Sequence, residues 1–179
     1  MSRVNKSQYA LLGMLTLGPM SGYDMKKLFD GSLANFWTES YGQIYPILKR
    51  LVSQGWATLK EEPQAGKPDK KVYAITAKGR TALQKWLEEP TEAPGFRLEV
   101  LLKLFFGPEV PMDVNRRQVQ AFRQLALERL ESYRGIEAGL KADKSGHAGT
   151  PYWLITLDYG RTYHEGVVQW CDRTLKRLK

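Results

Sequence analysis

Between Ser40 and Arg50 the chain reads Ser-Tyr-Gly-Gln-Ile-Tyr-Pro-Ile-Leu-Lys-Arg. At helical spacing, Ile44, Ile47, Leu48, Leu51 and Val52 recur every three or four residues and define a buried face. Tyr41, Gln43, Tyr45, Lys49 and Arg50 then share the exposed side. Hydroxyls, a carboxamide and two cations on one face supply hydrogen-bond donors and positive charge, which suits a polyanion with readable edges. Laid in a major groove, the residues after Ser40 face base edges, and the cations further along reach phosphates. Gln43 can read adenine in bidentate fashion, and it is also placed to be the capping-box partner of the Ser40 backbone. Tyr41 and Tyr45 can bond phosphate through their hydroxyls, unless one ring packs on the core. Gly42 fits close approach to a phosphate backbone.

Two further sets carry chemistry. Lys67, Lys70 and Lys71 stand in a stretch, 61–71, rich in Pro, Gly and charge. Such a tip suits an adjacent minor groove or its phosphates, or else is a solvated charge run. Tyr23, at the start of an earlier helix, is a further phosphate candidate, with Ser21 as a cap. In the last helix Leu157, His164, Cys171 and Leu178 fall seven apart, as do Leu154, Arg161, Val168 and Leu175. The two series interleave as a helix-packing seam. Its polar middle, Arg161 and His164, fixes register, lines an effector pocket or points to water. In the pocket reading the Arg fork takes a carboxylate, and Tyr152, Trp153 and Tyr163 take an aromatic ring. Cys171 reads as a small buried hydrophobe.

These groups need elements to position them. Ser7 can cap a first helix that is apolar all round from Tyr9 to Leu17, hence central, and Gly18-Pro19 stops it. Ser21-Gly-Tyr-Asp24 opens a second helix with Tyr23, Met25, Leu28 and Phe29 inward, closed by Gly31. The third begins at Ser40. Pro46 must lie near its first turn, because deeper it deletes a backbone bond, and Gly55 supplies a left-handed C-terminal residue. Residues 56–60 and 72–75 alternate as strands around a long exposed tip. Thr76 caps a fourth helix with Leu83, Trp86 and Leu87 inward, ended by Pro90. This is the order of a winged helix-turn-helix. After a linker at 91–95 come a short helix over 97–106, a long one over 112–142, a polar loop and a last helix from about Tyr152. The fold expected is mainly α with a small β-hairpin: a DNA-binding domain at 1–90 and a helical dimerisation and effector-sensing domain at 91–179. Trp37, Trp56 and Trp86 serve core and interdomain packing, while Phe96, Phe105 and Phe106 dock the linker helix.

The 179 residues are 42% hydrophobic and 26% charged, which excludes a disordered chain, a collagen-like fibre and a disulfide scaffold. The formal charge is +8, with 13 basic against 8 acidic residues in the first 90 and 14 against 11 thereafter. Such a balance suits a polyanionic partner. A single Cys171 permits no internal disulfide and fits a reducing cytosol. Arg3 and Lys6 ahead of an apolar run loosely imitate a signal peptide, but no A-x-A site follows and the run reads better as a core helix. No stretch approaches the ~18 apolar residues of a spanning helix, so a soluble cytoplasmic protein without a membrane partner is expected. Phosphate-loop, dinucleotide, nucleophile-elbow and paired Cys/His motifs are absent from the sequence. Nothing calls for a metal, a cofactor or catalysis.

Tyr9-Ala-Leu-Leu-Gly-Met-Leu, Pro19-Met-Ser-Gly-Tyr-Asp, Gly42-Gln-Ile-Tyr-Pro-Ile-Leu-Lys-Arg-Leu, Gly55-Trp and Tyr73-Ala-Ile-Thr-Ala-Lys-Gly resemble the PadR family of transcriptional regulators. The stretch from Phe96 to Gly107 resembles the start of the longer, virulence-activator-like C-terminal region of part of that family. The resemblance implies a homodimer that binds double-stranded DNA as a repressor or activator, often relieved by a small phenolic or other aromatic effector. Two-fold symmetry implies a two-fold operator. The competing reading is a winged-helix protein-interaction module without specific DNA binding.

Overall fold

A computed structural model describes residues 5–33, 36–64, 67–93, 95 and 97–178, without the side chains of residues 64, 67 and 68. Phe96 and the Lys67 side chain therefore lie outside the described residues. The chain divides into two compact units, Met1–Ala93 and Pro94–Lys179.

In the first unit, helix α1 (Ser7–Leu15) supplies Leu11, Leu12, Met14 and Leu15 to the core. Its first turn is satisfied by the Asn5 side-chain oxygen, which accepts from the Ser7 N–H at 3.1 Å, and not by a Ser7 hydroxyl. Because the helix ends at Leu15, Leu17 is exposed rather than buried. A two-residue strand β1 (Met20–Ser21) follows, too short for any alternation to announce it. Helix α2 (Gly22–Leu28) continues through a π-helical turn, Phe29–Leu33, instead of closing at Gly31. Met25 and Phe29 face the core, whereas Tyr23 is 61% exposed.

Helix α3 (Tyr41–Ser53) buries Ile44, Ile47, Leu48 and Leu51, and Gly55 adopts the left-handed conformation at φ +70°. Pro46 is the sixth helical residue, deeper than expected, and the Gly42 carbonyl is the acceptor that it leaves without a helical N–H.

Strands β2 (Ala57–Gln64) and β3 (Lys67–Ile75) pair antiparallel, and β1 adds to β3, giving the order β1-β3-β2. The ladder runs well into the stretch expected to be a loose tip, with Glu61 opposite Lys71 and Glu62 opposite Lys70. Opposite charges across the ladder favour that extension, and the irregularity at Pro63 spares a ladder bond that proline cannot donate.

Helix α4 (Ala77–Glu88) is capped by Thr76, whose hydroxyl accepts from Gly79 N–H at 3.0 Å and donates to the Gly55 carbonyl at 2.7 Å. Leu83 is buried and Trp86 stacks on Tyr9 at 4.8 Å, but Leu87, expected inward, is 66% exposed. Trp37, Trp56 and Trp86 pack against this core.

The second unit holds α5 (Glu99–Phe105), a 3-10 turn over Gly107–Glu109, and two long helices, α6 (Met112–Ala142) and α7 (Thr150–Arg177). Early α6 meets late α7, so the pair is antiparallel. The Arg116 guanidinium donates to the Leu175 and Leu178 carbonyls, Arg123 pairs with Asp172 at 2.7 Å, and Phe122 meets Trp170 edge-on. Arg116 thereby satisfies carbonyls at the negative end of α7. Val119, Ala126, Tyr133 and Cys171 are buried along the seam. Burial pushes the Cys171 thiol pKa up, with Asp172 adding to it, which suits a small hydrophobe better than a reactive thiolate.

The tightest approach in the first unit is at Gly79, where a Cβ would lie 2.1 Å from the Trp56 carbonyl oxygen. Backbone cannot yield as a side chain tip can. Gly79→Ala is expected to destabilise the unit by about 2–3 kcal/mol, read as a lowered urea midpoint at unchanged m-value.

Candidate nucleic-acid interface

With its buried face fixed, α3 turns Tyr41, Gly42, Gln43, Tyr45, Lys49 and Arg50 to solvent. The helix start is held from two sides. Gln43 reaches back, its Oε1 accepting from Ser40 N–H at 2.9 Å and from the Ser40 hydroxyl at 2.8 Å. The carboxamide oxygen that a bidentate adenine contact requires is thus engaged in the cap. Behind it, Glu39 is only 4% exposed and accepts from the Trp37 indole N–H at 2.8 Å. Glu39 Oε2 has no partner among the described residues. Sequence reasoning passed over Glu39, although a Trp and a Glu two residues apart, just ahead of a helix, were its signal.

The two tyrosines stack on one another at 6.3 Å, and the Lys26 ammonium lies 6.0 Å from the Tyr41 ring. The Tyr45 ring also covers the start of α2: a Cβ on Gly22 would come within 2.7 Å of Tyr45 Cε1. Tyr45 is therefore both packed and half exposed, so the two readings of it are not exclusive. Among the described residues, a Cβ on Gly42 would meet only Ser40 Oγ, at an ordinary 3.7 Å. Nothing among the described residues demands glycine there.

Helix α2 begins directly after β1. Ser21 and Asp24 form a complete capping box, with Asp24 N–H donating to Ser21 Oγ and Ser21 N–H to Asp24 Oδ2, both at 3.2 Å. The same Oδ2 receives the Lys70 ammonium at 3.0 Å. Lys70 thus ties β3 to α2, an ion pair that sequence spacing does not reveal because 46 positions separate its partners. Lys71 lies 3.6 Å from Glu61. Tyr23, on the first turn of α2, is open to solvent.

In the second unit, His164 Nδ1 lies 2.8 Å from the Gly160 carbonyl and 3.3 Å from Tyr133 Oη. The carbonyl contact makes Nδ1 the protonated nitrogen. Arg161 turns outward and pairs with Asp158 at 2.6 Å. A groove of about 160 Å³ between α6 and α7 is lined by Tyr133, Leu154, Leu157 and Arg161 among others. Tyr152 and Trp153 do not line it: Tyr152 is exposed, and Trp153 stacks on His147 at 4.7 Å.

A model described as the transcriptional regulator PadR-like family matches residues 11–85, and one described as virulence activator alpha C-term matches residues 96–179. The negative transcriptional regulator PadR of Bacillus subtilis is 38% identical over 96% of both chains, and a probable transcriptional regulator of Mycobacterium tuberculosis is 31% identical over 96% of both. This chain belongs to the PadR-like family of transcriptional regulators. Superposed on the crystal structure of Bacillus subtilis PadR in complex with operator DNA, the PadR-like chain gives a TM-score of 0.82 and 26% identity, covering 97% of itself and 99% of that chain. It is a DNA-binding transcriptional regulator with a winged helix-turn-helix, and the protein-interaction reading is not favoured. Among its described residues no helix is long and apolar enough to cross a membrane.

The Asp24 cap gives a pH signature. Its hydrogen bond with Ser21, then that with Lys70, holds its pKa below the ordinary value of 3.8. A depressed folded-state pKa means stability that is present above the unfolded value and lost as pH falls through the folded one. Wild type is expected to be more stable than Asp24→Asn near neutrality, with the gap closing below pH about 4. Urea midpoints measured across that range check it; a constant gap would exclude Asp24 as the titrating group.

Proposed function

We propose that this PadR-like protein binds a two-fold operator as a homodimer and represses transcription until a small aromatic, phenolic-type effector releases it. The reading assigns DNA contact to residues 1–90 and dimerisation and sensing to 91–179, in a non-catalytic protein of the cytoplasm. The observation that carries it is the exposed polar face of α3, set opposite the buried Ile44, Ile47, Leu48 and Leu51. Tyr41, Gln43, Tyr45 and Lys49 meet the major groove, the wing lysines Lys67, Lys70 and Lys71 meet the flanking backbone, and Tyr23 takes a phosphate.

The homodimer reading draws support from α7, where Tyr152, Ile155 and Tyr159 form an exposed apolar stripe at helical spacing. Contiguous apolar surface of this kind is more often covered than left in water. Repression draws support from the relative named as a negative regulator. Effector capture draws support from the groove between α6 and α7, where a carboxylate ligand would displace Asp158 from the Arg161 guanidinium.

Gel-shift titration with the protein's own upstream DNA, against unrelated competitor, tests the reading. Specific retention at nanomolar protein is expected, with log K falling against log[salt] at a slope of roughly −4 to −7 for a dimer. Lys49→Ala is expected to lower that slope by about one per protomer, and Lys70→Ala by less, because Asp24 already holds its ammonium. A slope near zero would refute the contact scheme.

Gly42→Ala separates a fold role from a contact role. Open space and a helical position imply that alanine stabilises α3 by about 0.5–1 kcal/mol. Close approach of a DNA backbone implies weaker binding from the same substitution. A raised melting temperature together with at least several-fold weaker retention is expected; undiminished retention would remove Gly42 from the interface.

A further inference from the structure

We propose that Gln43 determines specificity by reading guanine, not adenine, because its oxygen belongs to the helix cap and only its amide hydrogens face outward. This rests on the reading of α3 as the recognition helix. The assignment of the two amide atoms follows from chemistry. A backbone N–H can only donate, so the Gln43 atom 2.9 Å from Ser40 N is the oxygen. Its second lone pair takes the Ser40 hydroxyl at 2.8 Å. Both acceptor sites are thereby filled, and what Gln43 offers a partner is an NH₂ group, a pure donor.

The four base edges respond differently to a pure donor. Adenine presents N7 as acceptor and N6–H₂ as donor, and the latter would face no acceptor on Gln43. Cytosine presents only a donor. Thymine presents one acceptor beside a methyl group. Guanine presents two neighbouring acceptors, N7 and O6, which one NH₂ group can span. Rotating the amide to free its oxygen would set Nε2 against the Ser40 N–H, donor against donor. The cap that starts α3 therefore also selects the base.

Sequence selection from randomised duplexes, with full-length wild type, Gln43→Glu and Gln43→Met, tests this. Glutamate keeps an acceptor for Ser40 and so keeps the cap, but it has no hydrogen to donate; methionine removes donor and acceptor without adding charge. Wild type is expected to select guanine at one position of each half-site. Gln43→Glu is expected to move that position toward cytosine at an unchanged melting temperature, and Gln43→Met to flatten it. Wild type is expected to discriminate there by about 5- to 30-fold. Placing 7-deazaguanine at that position is expected to weaken wild type and not Gln43→Met. Adenine at the responding position would overturn the proposal, because the glutamine must then leave its cap. So would selected sequences that no Gln43 substitution changes, since Gln43 would then be only a cap. Failure of wild type to enrich any sequence would instead overturn the DNA-binding reading on which the proposal rests.

Discussion

The orientation of α3 is what everything else depends on. Ile44, Leu48 and Leu51 are fully buried and Ile47 nearly so, packed with Leu11, Leu12 and Leu15 of the central helix. Burying an aliphatic side chain of this size contributes about 1.5–3 kcal/mol, so four of them outweigh any single surface contact of the same helix. A helix so anchored cannot roll, and its 100° step per residue then dictates where Tyr41, Gln43, Tyr45 and Lys49 look. The proposed DNA face is a consequence of the core, not an addition to it.

The two capping boxes show one geometry serving two ends. In each, a serine ahead of the helix is gripped by the third residue of that helix, Asp24 for α2 and Gln43 for α3. The residue types differ in what they leave over. Asp24 retains a negative charge, which pairs with Lys70 at the surface and links the wing strand to α2. Gln43 leaves a neutral amide on the solvent-exposed side proposed to meet DNA. An aspartate or glutamate at position 43 would cap equally well but would set negative charge against a polyanion. Capping alone does not explain glutamine there, whereas capping with donation to an acceptor does.

How much of this was legible in the sequence depended on the range of the interaction. The long helix could be read at its true bounds, Met112–Ala142, because its apolar spacing is unbroken and polar, Gly-containing residues follow it. The Thr76 cap, the Gly55 turn and the partnership of Ser40 with Gln43 were equally legible, since each needs only neighbours in the chain. What failed was decided at a distance. Cross-strand pairing carried β2 and β3 through residues whose composition reads as loop, with Lys71 3.6 Å from Glu61 opposite it. Strand β1 exists because β3 is there to receive it. Tyr23 and Leu87 keep the right periodicity yet face water, because periodicity says where a side chain can point and not how far the core extends. Pro46 sits one turn deeper than its missing N–H alone would favour; both Pro46 and Gly42, whose carbonyl it leaves without a helical donor, are on the exposed side of the helix.

Charge shows the same limit. Counted along the sequence, the wing lysines look like free cations, yet Lys70 and Lys71 each already have a carboxylate within 3.0 and 3.6 Å. A phosphate that takes Lys70 must compete with Asp24, and the carboxylate left behind then recruits a counterion of its own. Part of the counterion release that drives binding is returned in that exchange. Among the described residues, Lys49 and Arg50 have no such carboxylate, so an approaching duplex gains the whole of their charge. In the proposed contact scheme the cations of α3 therefore contribute more to attraction than Lys70 and Lys71, which are paired in advance. Asp24 serves two elements at once: the carboxylate that caps α2 is the one that mutes the charge of Lys70.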